Sequence, residues 1–100
     1  MRSETKLHIA PDHPAFAGHF PGTPIVPGVV LLDAAIHAAS QLLGAAGPCQ
    51  VGAAKFPSAV GPGEILTIAI ATTANGGAHF EITSGDRKVA TGTLAWPPAS

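Results

Sequence analysis

An imidazole at His19 and a carboxyl group at Asp33, fourteen residues apart, are the side chains of this 100-residue chain best suited to acid–base chemistry. Near neutral pH an imidazole can take a proton, and a carboxyl group raised in pKa by apolar surroundings can give one or hold a hydroxyl. Between the two, the backbone N–H groups of Gly28 and Val29 open a helix, where donors without intrahelical partners and the positive end of the dipole favour a developing oxyanion. A base, an acid and an oxyanion site suit removal of a proton next to a carbonyl, followed by loss of a β-hydroxyl. The residue types alone leave a plainer reading open. A histidine in a Pro-rich loop is often structural, and a helical aspartate is often a local hydrogen-bond acceptor.

Four blocks must position these groups. Thr5 to Ala10 is a short strand, with Leu7 and Ile9 alternating with Lys6 and His8 until Pro11-Asp12 stops it. Ala17 to Gly28 is a stiff loop, because Pro21, Pro24 and Pro27 each fix φ while Gly18, Gly22 and Gly28 permit close approach. From Gly28 or Val29 to about Leu43 the chain is rich in Ala and Leu, bounded by Pro27 before it and by Gly44, Gly47 and Pro48 after it, which predicts a helix. That helix is apolar nearly all round, so it is expected to be enclosed by the rest of the fold. Its polar exceptions, Asp33, His37 and Ser40 or Gln41, fall on one side.

The last block reads as strands. Glu64 to Thr73 places Leu66, Ile68 and Ile70 on one face; Asn75-Gly76-Gly77 turns; His79 to Ser84 follows; Gly85-Asp86 turns again; and Lys88 to Trp96 closes an antiparallel meander. Ala53 to Val60 adds a further strand, with Pro57 marking an edge or a bulge. One long helix with four to five antiparallel strands implies a single α+β domain over residues 1–100, a curved sheet wrapped round a central helix.

Composition removes several classes of function. Charged residues make up 11% of the chain against 46% hydrophobic ones, well below the ~25% charge of typical domains, which predicts a surface meant for a partner subunit. Five Lys and Arg, scattered along the sequence, give no stripe for nucleic acid. The polar opening Met1 to Lys6 lacks the apolar run of a signal peptide. Val26 to Ala46 is interrupted too often for a membrane span, and the lone Cys49 has no internal disulfide partner; the expected location is the cytoplasm. His8, Asp12, His13 and His19 lie close in sequence but lack metal-ligand spacing. Asp33, His37 and Ser40 share one helix face without a nucleophile elbow, which argues against a nucleophilic triad. Cys49 reads as a small apolar residue.

Residues 19 to 35, His-Phe-Pro-Gly-Thr-Pro-Ile-Val-Pro-Gly-Val-Val-Leu-Leu-Asp-Ala-Ala, resemble the 3-hydroxyacyl-acyl-carrier-protein dehydratases of the FabA/FabZ type. The match combines H-F-P-G, a following P-x-x-P-G and an acidic residue fourteen positions after the histidine. Lys55-Phe56 through Pro62-Gly63-Glu64-Ile65-Leu66 is similar to the family's later segment, so the resemblance spans roughly residues 5 to 96. It implies the hotdog fold, in agreement with the pattern reading. It also implies a hydro-lyase acting on an acyl thioester without metal or organic cofactor. In that scheme His19 is the catalytic base, Asp33 the catalytic acid, and Gly28, with Val29 beside it, supplies the N–H that polarises the thioester carbonyl. Phe20, Pro27 and His37 flank the substrate. The histidine and acid of one site would come from different subunits of a homodimer.

The sequence departs from the family in four places. His37 stands where members usually carry Gln, and it could hold the charge of Asp33, compete for its proton or hydrogen-bond in place of the Gln. Members are often longer at the N-terminal side, so tunnel and assembly are expected to differ. Pro57-Ser58-Ala59 replace basic residues and leave Lys55 alone, which weakens the case for a carrier protein over coenzyme A as the thioester carrier. With no Tyr in the chain, Phe16, Phe20 or Phe56 is left to gate the tunnel. The alternatives are a hotdog acyl-thioesterase, in which a carboxylate activates water, and a non-catalytic acyl-binding subunit.

Overall fold

A computed structural model describes residues 1–9, 28–74 and 76–96. Five strands and one helix follow in the order β1 (Arg2–His8), α1 (Gly28–Leu43), β2 (Gln50–Lys55), β3 (Ile65–Thr72), β4 (Ala78–Ser84) and β5 (Arg87–Ala95). The strands form one antiparallel sheet in the order β1-β3-β4-β5-β2, with the expected meander β3-β4-β5 at its centre. Period-two alternation places Leu66, Ile68, Ile70, Phe80, Ile82 and Leu94 on the face turned to the helix, all buried. The helix meets them with Leu31, Ala35 and Ala39, a stripe at four-residue spacing whose alanines let its backbone lie close to the sheet.

The helix runs over the expected residues, and its end is built as the sequence suggests. Gly44 adopts φ 66°, and the Ala45 N–H donates to the Ser40 carbonyl at 3.0 Å, the bonding of a Schellman cap. The β4–β5 hairpin turns on Gly85 at φ 60°, a conformation glycine takes without penalty.

Three expectations need correction. The described residues of the chain do not enclose the helix. Only Leu31, Ala35 and Ala39 are buried, while Val29, Asp33, His37 and Gln41 are exposed, because a single sheet covers a single side. β1 begins at Arg2 and ends at His8, earlier than Thr5 to Ala10, since backbone pairing with β3 continues from Leu7↔Leu66 to Arg2↔Ala71 regardless of side-chain polarity. β2 occupies Gln50–Lys55 instead of Ala53 to Val60, at the edge beside β5, and its register breaks between Gly52 and Lys55, where Ala53 takes φ 45°. A further bulge was not expected. Ile82 pairs with Ala90 and Thr83 with Lys88, so Val89 is the extra residue, and both Val89 and Ala90 face inward.

Glu64 ties together the turn that leads into β3. Its carboxylate accepts the Gly61 N–H at 2.6 Å, the Ser84 hydroxyl at 2.7 Å and the Arg87 guanidinium at 2.5 Å, and Arg87 also donates to the Ala59 carbonyl. Next to it, the Ile9 N–H donates to the Glu64 carbonyl and the Gly63 N–H to the Ile9 carbonyl, which fixes the end of β1. The Gly61 N–H first, then Ser84 and Arg87, hold the Glu64 carboxyl below its ordinary pKa against the opposing effect of partial burial. A folded value below the unfolded one stabilises fully above about pH 4.3 and is lost as pH falls through the folded value. Because the Arg87 side chain is 46% exposed, most of the gain comes from the N–H and O–H donors. Glu64→Gln is expected to cost about 1–2 kcal/mol near neutral pH. Denaturant unfolding should show the gap between variant and wild type closing as the pH is lowered; a gap constant with pH would remove the carboxylate from that role.

Candidate active site

Each turn of α1 presents a residue of chemical interest on its open side. Gly28 begins the helix, and its N–H belongs to the first turn, whose donors have no intrahelical acceptor. The Phe56 ring lies against it: a Cβ at position 28 would meet three ring carbons of Phe56 at 3.4–3.5 Å. Phe56 remains 43% exposed and Val29 71%, so an apolar rim surrounds the start of the helix. A methyl at position 28 would make ordinary van der Waals contact with the ring, so packing alone does not require glycine there.

Asp33 and His37 follow one turn apart. With Ser40, Ala45, Gly47 and Trp96 they line a hollow of about 250 Å³ between the second half of the helix, the loop after it and the end of β5. The Ser40 hydroxyl donates to the His37 carbonyl at 2.9 Å, which turns it back on its own helix. Among the described residues, Asp33 and His37 are therefore the titratable groups of the hollow. Asp33 is exposed, so the apolar enclosure expected around it is not supplied by the described residues of one chain.

The structure thus brings Asp33 and His37 to one hollow and places Gly28 and Val29 one to two turns earlier on the same helix. His19, Phe20 and Pro27 lie outside the described residues, as do Asp12, His13 and Phe16. Sequence reasoning misses Trp96, which the pattern marks only as the end of the last strand. Its signal was faint: it is the single Trp of the chain, sixty-three residues from Asp33.

Comparison with known proteins decides the family. Residues 1–93 match the ApeI-like family, described as the ApeI dehydratase. The chain belongs to the ApeI-like dehydratase family. It is 36% identical to the 3-hydroxyacyl-[acyl-carrier-protein] dehydratase FabZ of Chlamydia trachomatis over 85% of this chain and 65% of that one. The chain accordingly spans a little under two thirds of the length of that curated relative. Among solved structures, it resembles the dehydratase heterocomplex ApeI:P from Xenorhabdus doucetiae with a TM-score of 0.83 and 26% identity, covering 94% of this chain and 85% of that one. The dehydratase domain of PpsC from Mycobacterium tuberculosis superposes with a TM-score of 0.80 at 20% identity, covering 98% of this chain and 40% of that one, a likeness of fold. The helix and the five antiparallel strands found among the described residues of this ApeI-like protein are the hotdog fold. Among the described residues no helix is long and apolar enough to cross a membrane.

Proposed function

We propose that this ApeI-like protein removes water from a 3-hydroxyacyl thioester to give the trans-2-enoyl thioester, in fatty-acid or polyketide-like synthesis. The observation that carries the reading is the placement of Asp33 on the open face of α1, in a hollow and one to two turns from the first-turn N–H groups at Gly28, which have no acceptor within the helix. In this scheme the thioester carbonyl accepts the Gly28 N–H, which lowers the cost of negative charge on its oxygen as the C2–H bond weakens. His19 takes the C2 proton. Electrons of that bond form the C2=C3 double bond while the C3–O bond breaks, and Asp33 gives its proton to the departing hydroxyl, which leaves as water. A proton passed from His19 back to Asp33, directly or through solvent, resets the site. The chemistry draws on no organic cofactor.

His19 and Asp33 of one site come from different copies in this reading, as the resemblance implies. Three features support a homodimer: the low charge count, the exposed Val29 with half-buried Leu32 and Ile36 beside it, and the outer edge of β2, whose backbone groups pair, among the described residues, on the β5 side. A second chain over the open helix face would also supply the apolar surroundings that Asp33 lacks in one chain. Lys55 is exposed at the end of β2 beside Phe56, so one cation stands near the entrance for a phosphate of coenzyme A or of a carrier protein's prosthetic arm.

Incubation of the purified protein with 3-hydroxybutyryl thioesters of coenzyme A and of an acyl carrier protein, read by mass spectrometry beside His19→Ala, tests the proposal. The expected result is loss of one water with the thioester intact, abolished in the variant. Release of free thiol would make the protein a thioesterase, and an unaltered substrate on both carriers would point to an acyl-binding subunit.

A further inference from the structure

The face of the sheet turned away from α1 carries charge in bands. Register across β1, β3, β4 and β5 sets out three rows at right angles to the strands. Arg2, Ala71, His79 and Thr93 form the first, which is basic; Glu4, Ala69, Glu81 and Thr91 form the second, which is acidic; Lys6, Thr67, Thr83 and Lys88 form the third, basic again. Successive rows stand ~7 Å apart, two residues along each strand. Of the charged and histidine side chains in these rows, all but Glu81 are exposed. The middle of the face is low, because β3 contributes only methyl groups to the first two rows. There Arg2, Ala69, Ile70, Ala71, His79 and Glu81 line a shallow hollow of about 130 Å³. One chain uses the pattern only in part. Lys6 donates to Thr67 at 2.6 Å and Lys88 stands 3.6 Å from Glu81, whereas the side chains of Arg2 and Glu4 have no hydrogen bond or ion pair among the described residues.

We propose that this face receives the same face of a second copy of the chain, related to it by a two-fold axis that runs between the basic row of Arg2 and the acidic row of Glu4. Such an axis exchanges the two rows strand by strand. Arg2 meets the partner's Glu4 and His79 meets the partner's Glu81, each pair occurring twice, while Ala71 lies over the partner's Ala69. The methyl floor lets the two sheets approach to the ~10 Å of packed sheets. Aligned sheets cross at ~30°, which displaces the β1 columns by about 4 Å, a distance the Arg2 side chain can span. The bands also select the occupant. A partner of one sign, acidic or basic, is repelled by one row wherever it sits, whereas a second copy satisfies both. The overlap is roughly 400 Å² a side, below the ~800 Å² of a standard interface, so the contact is weak and sensitive to salt. It lies opposite the open face of α1 and uses no edge of β2. It therefore doubles the homodimer proposed above and does not depend on the dehydratase reading.

Sedimentation velocity of the full chain over about 0.01–1 mM protein, in low salt and in about 1 M salt, tests this. The wild type is expected to double its mass with rising concentration in low salt and to remain at the smaller mass in high salt. Arg2→Glu sets like charges opposite each other at two places and should weaken the doubling about tenfold or more. Arg2→Glu with Glu4→Arg exchanges the bands on β1 in both copies, restores every pair and should restore the doubling. Ala69→Gln adds bulk at the floor without changing any charge and should also abolish it, a second route to the same result should Arg2→Glu disturb β1. A wild type of one mass under all conditions overturns the inference, as does doubling that survives both Arg2→Glu and Ala69→Gln. Failure of the exchanged variant to regain the larger mass, with its thermal unfolding unchanged, overturns the pairing of the two rows and the inference with it.

Discussion

Asp33→Asn is expected to lower turnover of a 3-hydroxyacyl thioester by about 10²- to 10⁴-fold, the range that a positioned acid or base contributes. Asparagine keeps the shape of the side chain and can still hydrogen-bond to a hydroxyl, but it has no proton to give to a departing oxygen. The fold should be indifferent to the change. Asp33 is exposed, and the described residues give it no hydrogen bond or ion pair that would be lost, so stability should move by no more than about 0.5 kcal/mol. Thermal unfolding and the oligomeric state should therefore match the wild type while the rate falls. A rate near the wild-type value would take Asp33 out of the chemistry, and a lost fold would make its role structural.

The largest effect on stability is expected at Phe80. It is fully buried and pairs across the β4–β5 ladder with Gly92, over which its ring lies; a Cβ at position 92 would meet Phe80 Cε2 at 2.6 Å and Cζ at 2.8 Å. Phe80→Ala empties the centre of the core and should cost about 3–5 kcal/mol, a large part of the ~5–15 kcal/mol that holds a domain together. Gly92→Ala instead forces a methyl against a ring that the core prevents from swinging away, with the Ala54 backbone 3.2 Å off on the other side. Its cost should be about 1–3 kcal/mol. The two changes should not add. Once the ring is gone the methyl enters the space it leaves, so the double variant should be more stable than the sum predicts by about 1 kcal/mol or more, measured by denaturant unfolding. Simple additivity would mean that the ring does not rest on Gly92.

Local pattern was enough to place the helix between Gly28 and Leu43, its stop at Gly44, the meander of β3, β4 and β5, and the inward set Leu66, Ile68, Ile70, Phe80 and Ile82. These features repeat every two or 3.6 residues, and their penalties are local, so a short window of sequence contains them. The same holds for Asp33 and His37, whose spacing puts them on one helix face in any helix. Pairing and packing between distant segments decided the rest. β2 begins at Gln50 because its backbone meets Ala95 there, and Val89 bulges because Ile82 meets Ala90; neither register is written in the side-chain alternation of one strand. Which side of the helix the described residues leave open follows from the sheet covering the side of Leu31, Ala35 and Ala39, a choice that an almost uniformly apolar helix leaves unmarked. Phe56 reaches Gly28, and Trp96 joins Asp33 in one hollow, across 28 and 63 residues of sequence. Side chains so far apart meet only where the sheet carries them, and for that reason Asp33 was legible in the sequence while its neighbour Trp96 was not.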